Sequence, residues 1–189
     1  MDADGSGLRM VDTGGERGLD MKLISAIVCS AAAVGTSLLL PGPASAAQVS
    51  CASANGVDVT LIEGQAGCRT ISDASGRAHA AGLDGVGYAS AATGARAFGI
   101  GAAGGVGVSE GSAGIPIALG YGSDAVARTT ITPEVPARSL AVTVALDGSR
   151  AQVRTETGEV VCLGTAALAW DAATGRGCVA TPFGQTVFE

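Results

Sequence analysis

The chain has 189 residues, with 17 acidic against 11 basic side chains and a formal charge of −6. An acidic surface makes nucleic acid and anionic membranes poor partners, and one histidine among five cysteines with no Cys-x-x-Cys offers no zinc-ligand set. Thirty glycines against 3% aromatics mean a thin core, because glycine and alanine bury little apolar surface.

Residues 1–20 are acidic (Asp2, Asp4, Asp12, Glu16 and Asp20 against Arg9 and Arg17) and read as an extension ahead of a start at Met21. Asp2 to Gly7 imitates the opening of a calcium loop, but the twelfth position is Thr13, where such a loop needs a bidentate glutamate. Met21-Lys22, the uncharged apolar residues 23–40, then Pro41-Gly42-Pro43 and Ala44-Ser45-Ala46 have the layout of a secretory signal helix. Cleavage is expected after Ala46. The prolines and the small-residue site argue against a retained membrane anchor, and Val28 before Cys29 argues against a lipoprotein site. The expected organisation is residues 1–46 as extension and signal, and residues 47–189 as one secreted all-β domain without stable membrane insertion.

After cleavage, residues 57–62 alternate like a strand, and Gly64 and Gly67 turn the chain toward Cys68. Between 77 and 130, six short segments begin at Arg77, Val86, Ala95, Val106, Ile115 and Ala125, with glycine between them. A period of nine to eleven residues reads as one strand and one tight corner per unit. Two architectures satisfy it. A β-solenoid or β-roll makes each segment one side of a coil, with Ala, Val and Ile stacked inward. A β-sandwich makes the segments antiparallel neighbours, but an interior about 10 Å thick takes larger side chains than these. The small residues favour the solenoid.

From 139 to 183 the pattern changes to a hairpin meander. Residues 139–146 and 150–155 flank Asp147-Gly148, a two-residue hairpin signal. Thr157-Gly158 turns the chain into residues 160–163, and residues 166–170 and 178–181 flank the polar turn 171–177. The fold class is all-β.

With Cys29 in the signal, Cys51, Cys68, Cys162 and Cys178 remain, an even number in an exported chain. Three pairings exist. The local ones, Cys51–Cys68 and Cys162–Cys178, close short loops on either side of the repeat, each contributing about 3 kcal/mol in the chain-entropy model.

Chemistry-bearing motifs are few. Gly107-Val-Ser109-Glu-Gly111 matches the G-x-S-x-G of hydrolases, which sets serine on a strand-to-helix elbow with a histidine arriving later in the chain. Here no helix follows and the only histidine, His79, lies upstream, so Ser109 reads as an outward strand residue and His79 as an ordinary one. Gly99-Ile-Gly101-Ala-Ala-Gly104 satisfies G-x-G-x-x-G, but strand-like residues follow it, and it reads as a corner. Gly104-Gly-Val-Gly-Val-Ser109 approaches a calcium-binding nonapeptide with serine in place of aspartate. That leaves calcium at Asp84, Glu110 and Asp124 an alternative to solvated turn acids. No cofactor or metal site is assigned.

Gly94-Ala-Arg-Ala-Phe-Gly-Ile-Gly101 resembles the Ala-x-Ala-x-Gly units in the heads of trimeric autotransporter adhesins, which form β-rolls. Only the middle third is covered, and with no coiled-coil stalk or membrane anchor following it, adhesion is not carried over. The whole mature layout is similar to a family of small secreted actinobacterial proteins of unknown function. It is carried by the early cysteine pair, the Ala/Gly repeat, Cys162-Leu-Gly, Ala169-Trp170-Asp171 and Thr174-Gly-Arg-Gly-Cys178-Val-Ala-Thr-Pro182-Phe-Gly184. That resemblance implies secretion and no activity. The expected function is a secreted or envelope-associated, non-enzymatic β-scaffold with an extracellular or cell-wall partner; the alternative is a secreted serine hydrolase using Ser109 with His79.

Overall fold

Small residues on the inward side of the strands, glycine and alanine foremost, let two sheets meet backbone to backbone. The computed structural model describes residues 46–134 and 139–189, which belong to one compact unit beginning at Ala44. The expected signal helix and Cys29 lie outside the described residues. Among the described residues fifteen strands run in chain order. They are β1 (Gln48–Ala54), β2 (Asp58–Glu63), β3 (Ala66–Ser72), β4 (Arg77–Leu83), β5 (Val86–Ala91), β6 (Arg96–Ala102), β7 (Val106–Gly111) and β8 (Ile115–Tyr121). Then follow β9 (Val126–Ile131), β10 (Leu140–Leu146), β11 (Arg150–Arg154), β12 (Glu159–Leu163), β13 (Ala167–Asp171), β14 (Gly177–Thr181) and β15 (Gly184–Phe188). No helix occurs among the described residues.

The strands divide between two sheets. Sheet A has the order β1-β4-β6-β8-β10-β13-β14-β15, and sheet B the order β12-β11-β9-β7-β5-β3-β2. From β3 to β11 the chain alternates between sheets, and each strand pairs in parallel with the one two places on. The result is a two-sided β-solenoid in which Val86, Val106 and Val126 occupy equivalent places on successive coils. Antiparallel strands close both ends: β1 on β4 and β2 on β3 at one, β12 on β11 and β13 on β10 at the other. Both edges of the parallel stack are thereby paired.

The interior is nearly free of large side chains. One alanine-rich cluster gathers Val49, Ala66, Ala78, Ala80, Ala89 and Ala97 around Cys51 and Cys68. A second gathers Ala118, Ala127, Ala141, Ala151 and Ala169 with Val153 around Cys162 and Cys178. Between them glycine brings backbone against backbone. A methyl group on Gly99 would strike the carbonyl of Tyr88 in the facing sheet, and one on Gly107 would strike that of Ile100. Buried hydroxyls join the sheets: Thr129 Oγ1 and Thr143 Oγ1 are 2.8 Å apart, and Thr129 donates to the Ile117 carbonyl at 2.8 Å.

The disulfides join Cys51 to Cys68 and Cys162 to Cys178, the local pairs. Cys51 lies on sheet A and Cys68 on sheet B; Cys162 lies on sheet B and Cys178 on sheet A. Each bond therefore clamps one end of the stack across the narrow interior.

Three expectations need correction. The coil begins at β3, upstream of residue 77, and continues to β11. Asp147-Gly148 makes no hairpin: β10 pairs with β8 in sheet A, while β11 pairs with β9 in sheet B. Asp147 (φ 49°) and Gly148 (φ 73°) form the left-handed pair that a tight hairpin uses, but here it turns the chain into the facing sheet. Val and Ile of the coils mostly face outward, because the narrow interior has room for few residues larger than alanine or threonine; Ile131 and Val153 are the buried exceptions.

This geometry sets the cost of a methyl group. Gly99→Ala should destabilise the protein by about 3 kcal/mol, the upper end of overpacking. Gly67→Ala, whose methyl would make only an ordinary 3.7 Å contact with Val86, should be neutral or stabilise by up to about 1 kcal/mol. Urea denaturation midpoints of the two variants check this.

Candidate binding face

With the small residues turned inward, the large apolar residues have only the outer faces left. On sheet A they form two aligned rows. One runs through His79, Phe98, Ile117, Val142 and Trp170, and the next through Ala81, Ile100, Leu119, Val144 and Leu168. Each is the directly opposite partner of its neighbour, as cross-strand packing requires. His79 stacks on Phe98 with ring centroids 5.4 Å apart and planes at 10°. The second row continues to Val179, and the Phe188 ring lies over Gly177 beside Trp170. Most of these residues are half-buried, with Leu168 38% exposed.

The face is uneven. Over β1 and β4 the small side chains of Ser50, Ala52 and Ala81 leave a hollow of about 290 Å³, walled by His79, Phe98 and Ile100. Trp170, Leu168 and Phe188 stand at the opposite side. Among the described residues no Asp or Glu lies on this outer face between β1 and β14.

The outer face of sheet B is built differently. Its ladders interleave Val106, Val108 and Val126 with charge, and opposite charges on adjacent strands pair: Asp58 with Arg69 at 2.8 Å, Glu110 with Arg128 at 3.1 Å and Glu159 with Arg154 at 3.5 Å. The Arg69 hydrogen bond holds the Asp58 carboxyl below its ordinary value. All three pairs are exposed, so each contributes little to stability. This is a solvated face. Beside Gly67 it carries a hollow of about 340 Å³ edged by Ile62, Arg69, Val86 and Tyr88.

Corner acids have a structural task. The Asp73 carboxylate accepts from the backbone N–H of Ser75 (2.8 Å), of Gly76 (2.5 Å) and of Thr93 on the next coil (2.6 Å). Those amides, Thr93 first, hold its pKa at about 2 against the ordinary 3.8. Asp84 likewise accepts from the Ala47 N–H at 2.7 Å. Among the described residues no three His, Cys, Asp or Glu side chains come together to hold a metal ion, and Asp84, Glu110 and Asp124 are not gathered into one site.

Ser109 and His79 are not brought together. Ser109 is fully buried between the sheets, against the outward position expected, and its hydroxyl donates to the Pro116 carbonyl at 2.8 Å. The parity of β7 decides this: Gly107, Ser109 and Gly111 share the inner side, and Val106, Val108 and Glu110 the outer. His79 is on the opposite surface of sheet A. Gly99 and Gly101 are strand residues facing inward; the corner of that motif is at Ala103 and Gly104.

A family model described as a family of unknown function (DUF6764) matches residues 17–181. The chain belongs to this family. No curated protein and no solved structure matches it. What the sequence reading missed is the apolar face. The signal was present: in residues 96–101, 115–121 and 140–146 the large apolar residues share one parity and the glycines, alanines, Pro116 and Thr143 the other.

Two outcomes follow. Because the folded Asp73 pKa is depressed, its contribution is complete above about pH 4 and is lost as pH falls toward 2. Asp73→Asn should therefore be less stable than the parent at neutral pH, with the gap closing at acid pH; urea titrations at both check it. A fluorophosphonate probe should leave the native protein unlabelled at Ser109, since that hydroxyl is inside the stack.

Proposed function

We propose that this protein is an exported, non-enzymatic scaffold whose working part is the outer face of sheet A, a contact surface for another molecule outside the cell or at its envelope. One observation carries the binding role: among the described residues the outer face of sheet A is apolar and without carboxylates, while the acids sit at corners, on sheet B, inside the stack at Asp171, or at Glu189. Monomeric soluble proteins seldom leave so large an apolar patch open to water. The two disulfides support an oxidising compartment, and the apolar residues 23–40 with Ala44-Ser45-Ala46 support export by a signal peptide. The absence of lysine after Lys22 supports an origin in a GC-rich genome. The separation of Ser109 from His79 favours a scaffold over a hydrolase.

Expression of the full chain in a secreting bacterial host tests export. The medium should contain a species beginning at Ala47 by intact mass and N-terminal sequencing, with no thiol open to alkylation. A chain retained in the cytoplasm with reduced cysteines would remove export from the reading.

A further inference from the structure

We infer that the partner of the sheet A face is a second copy of this chain, packed sheet against sheet about a two-fold axis running along the strands between β8 and β10. The inference rests on reading that face as the contact surface, and three observations select the occupant.

The first is area. The seven strands from β1 to β14, at about 4.8 Å spacing and about 3.3 Å rise per residue, cover about 34 by 20 Å. That is near 700 Å² in projection, and more as a corrugated side-chain surface, against the roughly 800 Å² per partner that a stable dimer buries. Two apolar sheet faces of this size pack as the layers of a β-sandwich do.

The second is relief. An axis along the strands reverses strand order and preserves the rows, as an isologous interface requires. Ile117 then meets Val142 of the other copy, and Phe98 meets its Trp170. The hollow over Ser50, Ala52 and Ala81 receives its Phe188 and Val179. The shallow side of one copy is filled by the prominent side of the other.

The third is charge. Arg77 and Arg96 lie directly opposite one another on β4 and β6, and the structure shows no acidic partner for either among the described residues. Like charges so placed repel. The same two-fold brings them to the corner that holds Glu189, which Arg176 engages at 2.7 Å within one copy. The centre of the face carries no charge, so two chains of like net charge meet there without repulsion.

Light scattering after gel filtration of the oxidised protein at micromolar concentration should give a dimer. Ile117→Glu or Val142→Glu should lose it while keeping far-UV circular dichroism and both disulfides. Val108→Glu, the equivalent change on sheet B, should remain dimeric. Trp170 is the only tryptophan, so acrylamide quenching should be weaker in the parent than in Ile117→Glu. A parent that is monomeric up to its solubility limit, or a dimer that survives both substitutions, overturns the inference. A monomer whose Trp170 becomes shielded only with zwitterionic vesicles or a cell-wall fraction overturns the second copy and leaves the contact face standing. A monomer whose Trp170 stays open in every condition overturns both.

Discussion

Everything in this fold depends on the closeness of the two sheets. Ordinary sandwiches hold their layers about 10 Å apart with interdigitated side chains; here Gly82, Gly87, Gly99, Gly101, Gly107 and Gly120 bring opposing carbonyls to within a methyl group of one another. Such an interior buries little apolar surface per residue. Its cohesion comes from paired backbone, from hydroxyls such as those of Ser109, Thr129 and Thr143, and from the two cross-links that hold the sheets at either end. The same closeness pushes most large side chains out, Ile131 and Val153 being the buried exceptions. The aromatic residues between Tyr88 and Phe188 all lie outside the interior, so the face a partner would touch is a by-product of the core that had no room for it.

The class and the coil were legible because they are local. Glycine punctuation at a short period predicts strand and corner, and uniformly small residues between corners predict narrow coils; the parallel ladders of β3 to β11 bear this out. Pairing is not local, and there the sequence misled. Asp147-Gly148 specifies two left-handed residues in succession and nothing about which sheet receives the next strand. Only the ladder from β9, whose Val126 lies beside Arg150, draws β11 away from β10. Ser109 was misplaced for a related reason. G-x-S-x-G invites a functional reading, whereas the alternation of Gly107 and Gly111 around it assigns that side of β7 to the interior.

The outer faces show what composition alone conceals. Both sheets derive from the same repeat, yet one carries laddered ion pairs and the other rows of Phe, Ile, Leu, Val and Trp. A mean hydropathy of +0.40 over the chain does not tell the two apart. Resolved by parity and by alternate segments they separate into a wet side and a dry one, because consecutive strands of the coil go to opposite sheets.

The placement of the disulfides has an evolutionary corollary. Neither covalent loop spans the middle coils: one closes within residues 51–68 and the other within 162–178. Val86, Val106 and Val126 repeat in register between them. A duplication or loss of one whole coil would leave both clamped ends and both faces intact, altering the molecule's length by one strand spacing of about 4.8 Å. A deletion of half a coil would exchange the sheets and turn the dry side wet. Length variation among relatives should therefore come in whole turns, as in a ruler cut only at its marks.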